Sequence, residues 1–275
     1  MFGKAGKTDH SFRPNPTLRD LIMNLSKLTS IAAVTLSLAF GAQAAETAAQ
    51  PSVVIVHGAF ADGSDWAKVI PLLQAKGVRV TAVQNPLTSL DDDVAAAKRA
   101  IDAAPGKVVL VGHSWGGTVI TQAGVNDKVA SLVYVAAFAP DVGQAVADLG
   151  KAYPTPAGAA HLQADASGFL SLTSEGMSKH FAQDLSAAQT AVMTATQGPI
   201  AGKAFGEKVS VAAWKTKPSW YLVAGADHMI QPALQRDFAR QIGAKVSEVK
   251  TSHVPQQSAP DKVAATILDA VNASR

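Results

Sequence analysis

One serine set between glycines, seven histidines and no cysteine bound the nucleophilic chemistry open to this 275-residue chain. The serine is Ser114, in Gly112-His113-Ser114-Trp115-Gly116-Gly117. A serine hydroxyl attacks a carbonyl only when a base takes its proton, and the base needs an acid that orients it. Small neighbours suit a sharp strand-to-helix turn that lifts the hydroxyl over the strand ends. In that arrangement the acid and then the base follow the nucleophile along the chain. His10 lies ahead of the folded body, His161 and His180 fall in an irregular stretch, and His228 comes too early, beside the acid. His113, inside the turn, should face away from the reacting centre. His253, after the last strand-like run, is the expected base. The expected acid is Asp227, which follows Trp220-Tyr221-Leu222-Val223-Ala224; the rival is Asp141. An oxyanion needs backbone donors, and Trp115 supplies one directly after the nucleophile. The other comes from His57-Gly58-Ala59-Phe60, with Ala59 preferred over Phe60 and His57 shaping the loop.

The elements that must position these residues alternate. Val53–Val56 is a continuous apolar run, as a strand buried on both faces would be, and further strands are expected at 78–83, 107–112, 129–138, 220–224 and 245–250. Helical stretches lie between them at 65–76, 91–103, 115–123 and 232–241, and a last one covers 261–271. Ser89 and Asp91, Asp92 and Asp93 suit a solvated helix start. The rhythm predicts an α/β fold on a doubly wound, mostly parallel sheet, with its site at the carboxyl ends of the strands. It breaks over about 141–213, a long insertion with scattered apolar anchors, which reads as a helical lid.

Taken together, these marks resemble the α/β-hydrolase superfamily across nearly all of residues 52–272. They look most like small bacterial hydrolases akin to plant methylesterases and hydroxynitrile lyases. The shared residues are His57-Gly58-Ala59-Phe60 with Trp66, the Ser114 turn, Asp227 and Ser252-His253. The resemblance implies hydrolysis of a small-molecule carboxylic ester, small to medium and apolar, through an acyl-enzyme on Ser114. Phe60, Trp115, Phe138, Phe169 and Met229 would line the pocket. Lactone or amide cleavage by the same residues, or ligand binding without turnover, are the alternatives. Val254 stands where hydroxynitrile lyases of this group carry lysine, which counts against cyanohydrin cleavage. No cofactor or metal is expected, since neither a metal-ligand spacing nor a phosphate-binding glycine loop is present.

The formal charge of +3 sits wholly in residues 1–44, so the body is neutral and a nucleic-acid partner is not expected. The same 44 residues read as a leader. Lys27, the apolar run 28–40 and Gly41-Ala42-Gln43-Ala44 match a secretory signal cleaved after Ala44, with translation starting at Met23 and a periplasmic or secreted product. The run is shorter than the ~20 residues of a bilayer span, so no permanent anchor is expected. Residues 45–275 then form a single domain. Oligomeric state leaves no mark in the sequence.

Overall fold

A computed structural model describes Gly3 and residues 50–275. Apart from Gly3, the leader, with Met23 and the cleavage point at Ala44, lies outside the described residues. Among the described residues no helix is long and apolar enough to cross a membrane.

The chain runs β1 (Ser52–Val56), α1 (Ile70–Gln74), β2 (Val80–Val83), α2 (Leu90–Ala103), β3 (Val108–His113), α3 (Trp115–Ala123) and β4 (Val129–Val135). The insertion follows, holding β5 (Leu162–Ala164), β6 (Phe169–Leu172), α4 (Ala187–Thr196) and β7 (Ile200–Ala201). Then come β8 (Ser219–Ala224), α5 (Pro232–Gln241), β9 (Lys245–Val249) and α6 (Pro260–Ala273). Six strands form one parallel sheet in the order β2-β1-β3-β4-β8-β9. Alternate side chains feed two apolar layers. Val54, Val56, Leu110, Leu132, Tyr134 and Tyr221 pack on one face with Val94, Ile101, Val119 and Ile120 of α2 and α3. Val53, Ile55, Val109, Val111, Val133 and Leu222 pack on the other with Trp66, Leu73 and, from α6, Val263, Ile267 and Val271. Strands covered on both faces need apolar residues at every position, which is why β1 and β3 read as unbroken runs. Edge strand β9 is half open and keeps Lys245, Ser247 and Glu248.

Three local expectations change. The single helix over 65–76 is a short 3₁₀ turn, Gly63–Trp66, followed by α1. Pro71 stands in the first turn of α1, where its missing N–H costs nothing, and so marks a fresh start. Strand β4 stops at Val135 rather than 138 because Ala136 takes a left-handed φ of 43°. Asp93 is not solvated like Asp91 and Asp92: Ser89 does cap α2, accepting from Asp92 N–H, but Asp93 turns inward and is fully buried. The insertion is also not only helical. Strands β5, β6 and β7 make a three-stranded antiparallel sheet.

Candidate active site

The loops after β1, β3, β8 and β9 meet over one end of the sheet, bringing His57–Phe60, Ser114, Asp227 and His253 together. Ser114 caps the start of α3 with φ 52°, a conformation rarely held by a non-glycine residue and one that persists only when the surroundings enforce it. The enforcing contact is backbone against backbone. A Cβ on Gly112 would lie 2.5 Å from the Gly116 carbonyl, and one on Gly116 would strike the Val56 carbonyl.

The expected residues are in contact. His253 Nε2 lies 2.8 Å from Ser114 Oγ, and His253 Nδ1 lies 2.7 Å from Asp227 Oδ2. All three are buried. Asp227 is saturated with donors: Met229 and Ile230 N–H reach Oδ1 at 2.7 and 3.0 Å, and Gln235 Nε2 reaches Oδ2 at 2.7 Å. A carboxylate so held keeps one oxygen aimed at the imidazole. The rival Asp141 is instead paired with Lys215 Nζ at 2.6 Å on the surface.

The donor loop corrects one expectation. Phe60 N–H donates to the Gly198 carbonyl at 3.2 Å and is spent there. Ala59 and Trp115 N–H have no acceptor among the described residues and remain open. The loop approaches the nucleophile closely, since a Cβ on Gly58 would lie 2.8 Å from the Ser114 Cβ. His57 shapes the loop as expected. Its Nε2 accepts from Asn85 N–H at 2.9 Å, so Nδ1 carries the proton and donates to the Gly58 carbonyl at 2.8 Å. Burial lowers its pKa and keeps the ring neutral.

His113 does not simply turn away. Its Nε2 donates to the His253 carbonyl at 2.8 Å, and its ring packs 4.8 Å from the His253 ring. Burial, and then the neighbouring His253, hold its pKa well below the usual histidine range. The His113 ring thus braces the His253 backbone from behind while burial disfavours its charged form.

Over Ser114 lies a cavity of about 320 Å³, apolar apart from Ser114 and His253 themselves. Phe60, Trp115, Phe138 and Met229 line it as expected. Phe169 does not. On β6, Leu170 and Leu172 face the core, and strand alternation puts Phe169 on the opposite side. Its place is taken by Phe181 and Phe205 from the insertion, which no periodic pattern in the sequence marked. A second cavity of about 410 Å³ shares the Phe60 wall and is lined by Asp62, Asp65, Val192 and Met193; neither Ser114 nor His253 reaches it.

Trp115 is itself anchored. Its indole Nε1 donates to Asp93 Oδ2 at 2.7 Å, while Leu87 N–H donates to Oδ1 at 2.8 Å. Burial, only partly offset by these bonds, pushes the Asp93 carboxyl up to about 6. The folded chain thus holds this proton more tightly than the unfolded chain does. Asp93 therefore adds stability as the pH falls through about 6, and the gain is complete below the ordinary carboxylate range. The melting temperature of the wild type relative to Asp93→Asn should accordingly rise by a few degrees between pH 7 and pH 4. A difference that is flat or shrinks on acidification would contradict this reading.

Residues 53–266 match the model of the alpha/beta hydrolase family. The chain belongs to that family. Among its relatives, this hydrolase is 26% identical to a pyrethroid hydrolase of Sphingobium wenxiniae over 257 residues, which cover 80% of this chain and 88% of that protein. It is 38% identical to methylesterase 2 of Arabidopsis thaliana over 104 residues, 32% of this chain and 40% of the plant protein. Its fold is that of the crystal structure of polyneuridine aldehyde esterase, with a TM-score of 0.70 at 22% identity, covering 80% of this chain and 98% of that one.

Proposed function

We propose that this hydrolase cleaves carboxylic esters of small to medium, apolar substrates through an acyl-enzyme on Ser114. The observation that carries the reading is the unbroken contact from Ser114 Oγ through His253 to Asp227, set in an apolar cavity of about 320 Å³. His253 Nε2 takes the Ser114 proton as Oγ attacks the ester carbonyl. The N–H groups of Ala59 and Trp115 receive the oxyanion, and the imidazolium leans on Asp227. Collapse expels the alcohol, which takes the proton from His253. Water, activated by the same imidazole, then releases the acid. The names of the relatives support the bond type, since they include methylesterases and a pyrethroid hydrolase. The apolar walls favour an uncharged acyl or alcohol group.

Steady-state assays of purified protein on nitrophenyl esters of increasing acyl length, set beside lactones and anilides, test this. Esters should be turned over, with a rapid burst of nitrophenol wherever deacylation is slow. Exclusive cleavage of lactones or amides would move the activity to those bonds. No turnover of any substrate would leave a binding protein on the same fold.

A further inference from the structure

The insertion does more than roof the cavity. Residues 180–184 run past the acid loop and the base loop together and touch both. Gln183 Nε2 donates to the carbonyl of Ala226, the residue before Asp227, at 2.6 Å. His180 Nδ1 lies 3.4 Å from Nδ1 of His228, the residue after Asp227. Asp184 Oδ2 accepts from N–H of Ser252, the residue before His253, at 2.8 Å. Phe181, fully buried, packs its ring 5.0 Å from the His253 ring and 6.4 Å from Phe60.

We propose that Gln183 and Asp184 are positioning residues for the reaction, clamping the peptide groups directly before the acid and the base and so holding Asp227 and His253 at bonding distance. The inference rests on the serine-hydrolase reading for its activity readout alone. Asp227 and His253 follow different strands, β8 and β9, and the backbone joins their loops through one bond, from Ala226 N–H to the Thr251 carbonyl at 3.0 Å. Two adjacent residues of a third segment add one bond to each loop, and both bonds end on backbone atoms that no rotation of the Asp227 or His253 side chain can displace. A shift of even 1 Å in such a relay costs about a hundredfold in rate. The alternative is that these bonds merely anchor the insertion, and the two roles predict different results.

The experiment uses the whole protein in four forms: wild type, Gln183→Glu, Asp184→Ala and Asp184→Asn. Glutamate has the shape of glutamine but no N–H for the Ala226 carbonyl. Asparagine keeps an oxygen for the Ser252 N–H, whereas alanine does not. Gln183→Glu and Asp184→Ala should lower kcat on a nitrophenyl ester by about tenfold or more with KM within about twofold, and Asp184→Asn should retain most of the rate. The low-field proton resonance of His253 Nδ1–H, recognised by its absence in His253→Ala, should shift or broaden in the two damaging variants and stay in place in Asp184→Asn. That resonance reads the Asp227–His253 bond without turnover, so it decides the clamp even if the wild type cleaves no ester. Wild-type rate and resonance in both Gln183→Glu and Asp184→Ala would overturn the clamp. So would a rise in KM alone, which is what a loosened insertion over an intact Asp227–His253 pair would give. Should Asp184→Ala fail to fold, Gln183→Glu set against wild type carries the same two readouts.

Discussion

Ser114→Ala is expected to remove ester turnover by about six orders of magnitude and to abolish labelling by a fluorophosphonate, while the protein stays folded. The loss is large because the hydroxyl is the only group on the turn that can become covalently acylated. His253 and the open N–H groups of Ala59 and Trp115 would then act only on a bound water. Folding should survive because the turn is set by backbone packing, chiefly the approach of Gly112 to Gly116 and of Gly116 to Val56, and not by the hydroxyl. The deleted atom makes one hydrogen bond, to His253. A melting temperature within a few degrees of wild type, with no label and no turnover, is the expected set. A variant that still takes the label would place the nucleophile elsewhere and end the serine mechanism proposed for this site.

What was legible in the sequence follows from the geometry of burial. A central parallel strand needs apolar residues at every position, so β1, β3, β4 and β8 were visible as runs, and the turns after β3 and β8 displayed Ser114 and Asp227, while His253 follows the half-open edge strand β9. Pro71 was a legible stop signal inside the expected helix over 65–76 and marks where α1 begins. The insertion was different. Its strands span two to four residues, too short for alternation to show which side of β6 carries Phe169. Gln183 and Asp184 act through single hydrogen bonds to backbone atoms, and such bonds leave no spacing to read. Asp93 was hidden for another reason. In sequence it belongs to a run of three helix-start aspartates, and only the fold shows that Trp115 draws one of them inward.

Asp227→Asn should lower turnover about ten-thousandfold, whereas Asp141→Asn should leave it within about twofold of wild type. The contrast follows from donors and acceptors. Asp227 receives four N–H groups, two from backbone on Oδ1 and those of Gln235 and His253 on Oδ2. Asparagine has one acceptor oxygen. If it serves Met229 and Ile230, the NH₂ group is left facing Gln235 Nε2 and His253 Nδ1. The imidazole can meet that donor only by giving up its Nδ1 proton and carrying one on Nε2 instead. In that tautomer Nε2 points an N–H at Ser114 Oγ and cannot take its proton. The turn, the donors and the cavity would all remain, and the base would be in the wrong protonation state. Asp141 has no such hold on the site. Its carboxylate forms an exposed pair with Lys215, of the kind worth under about 1 kcal/mol, and its replacement leaves His253 untouched. Parallel kcat/KM measurements on the two variants decide the acid. A loss at Asp141 matching that at Asp227 would mean that the Asp227–His253 contact is not the one that sets the tautomer.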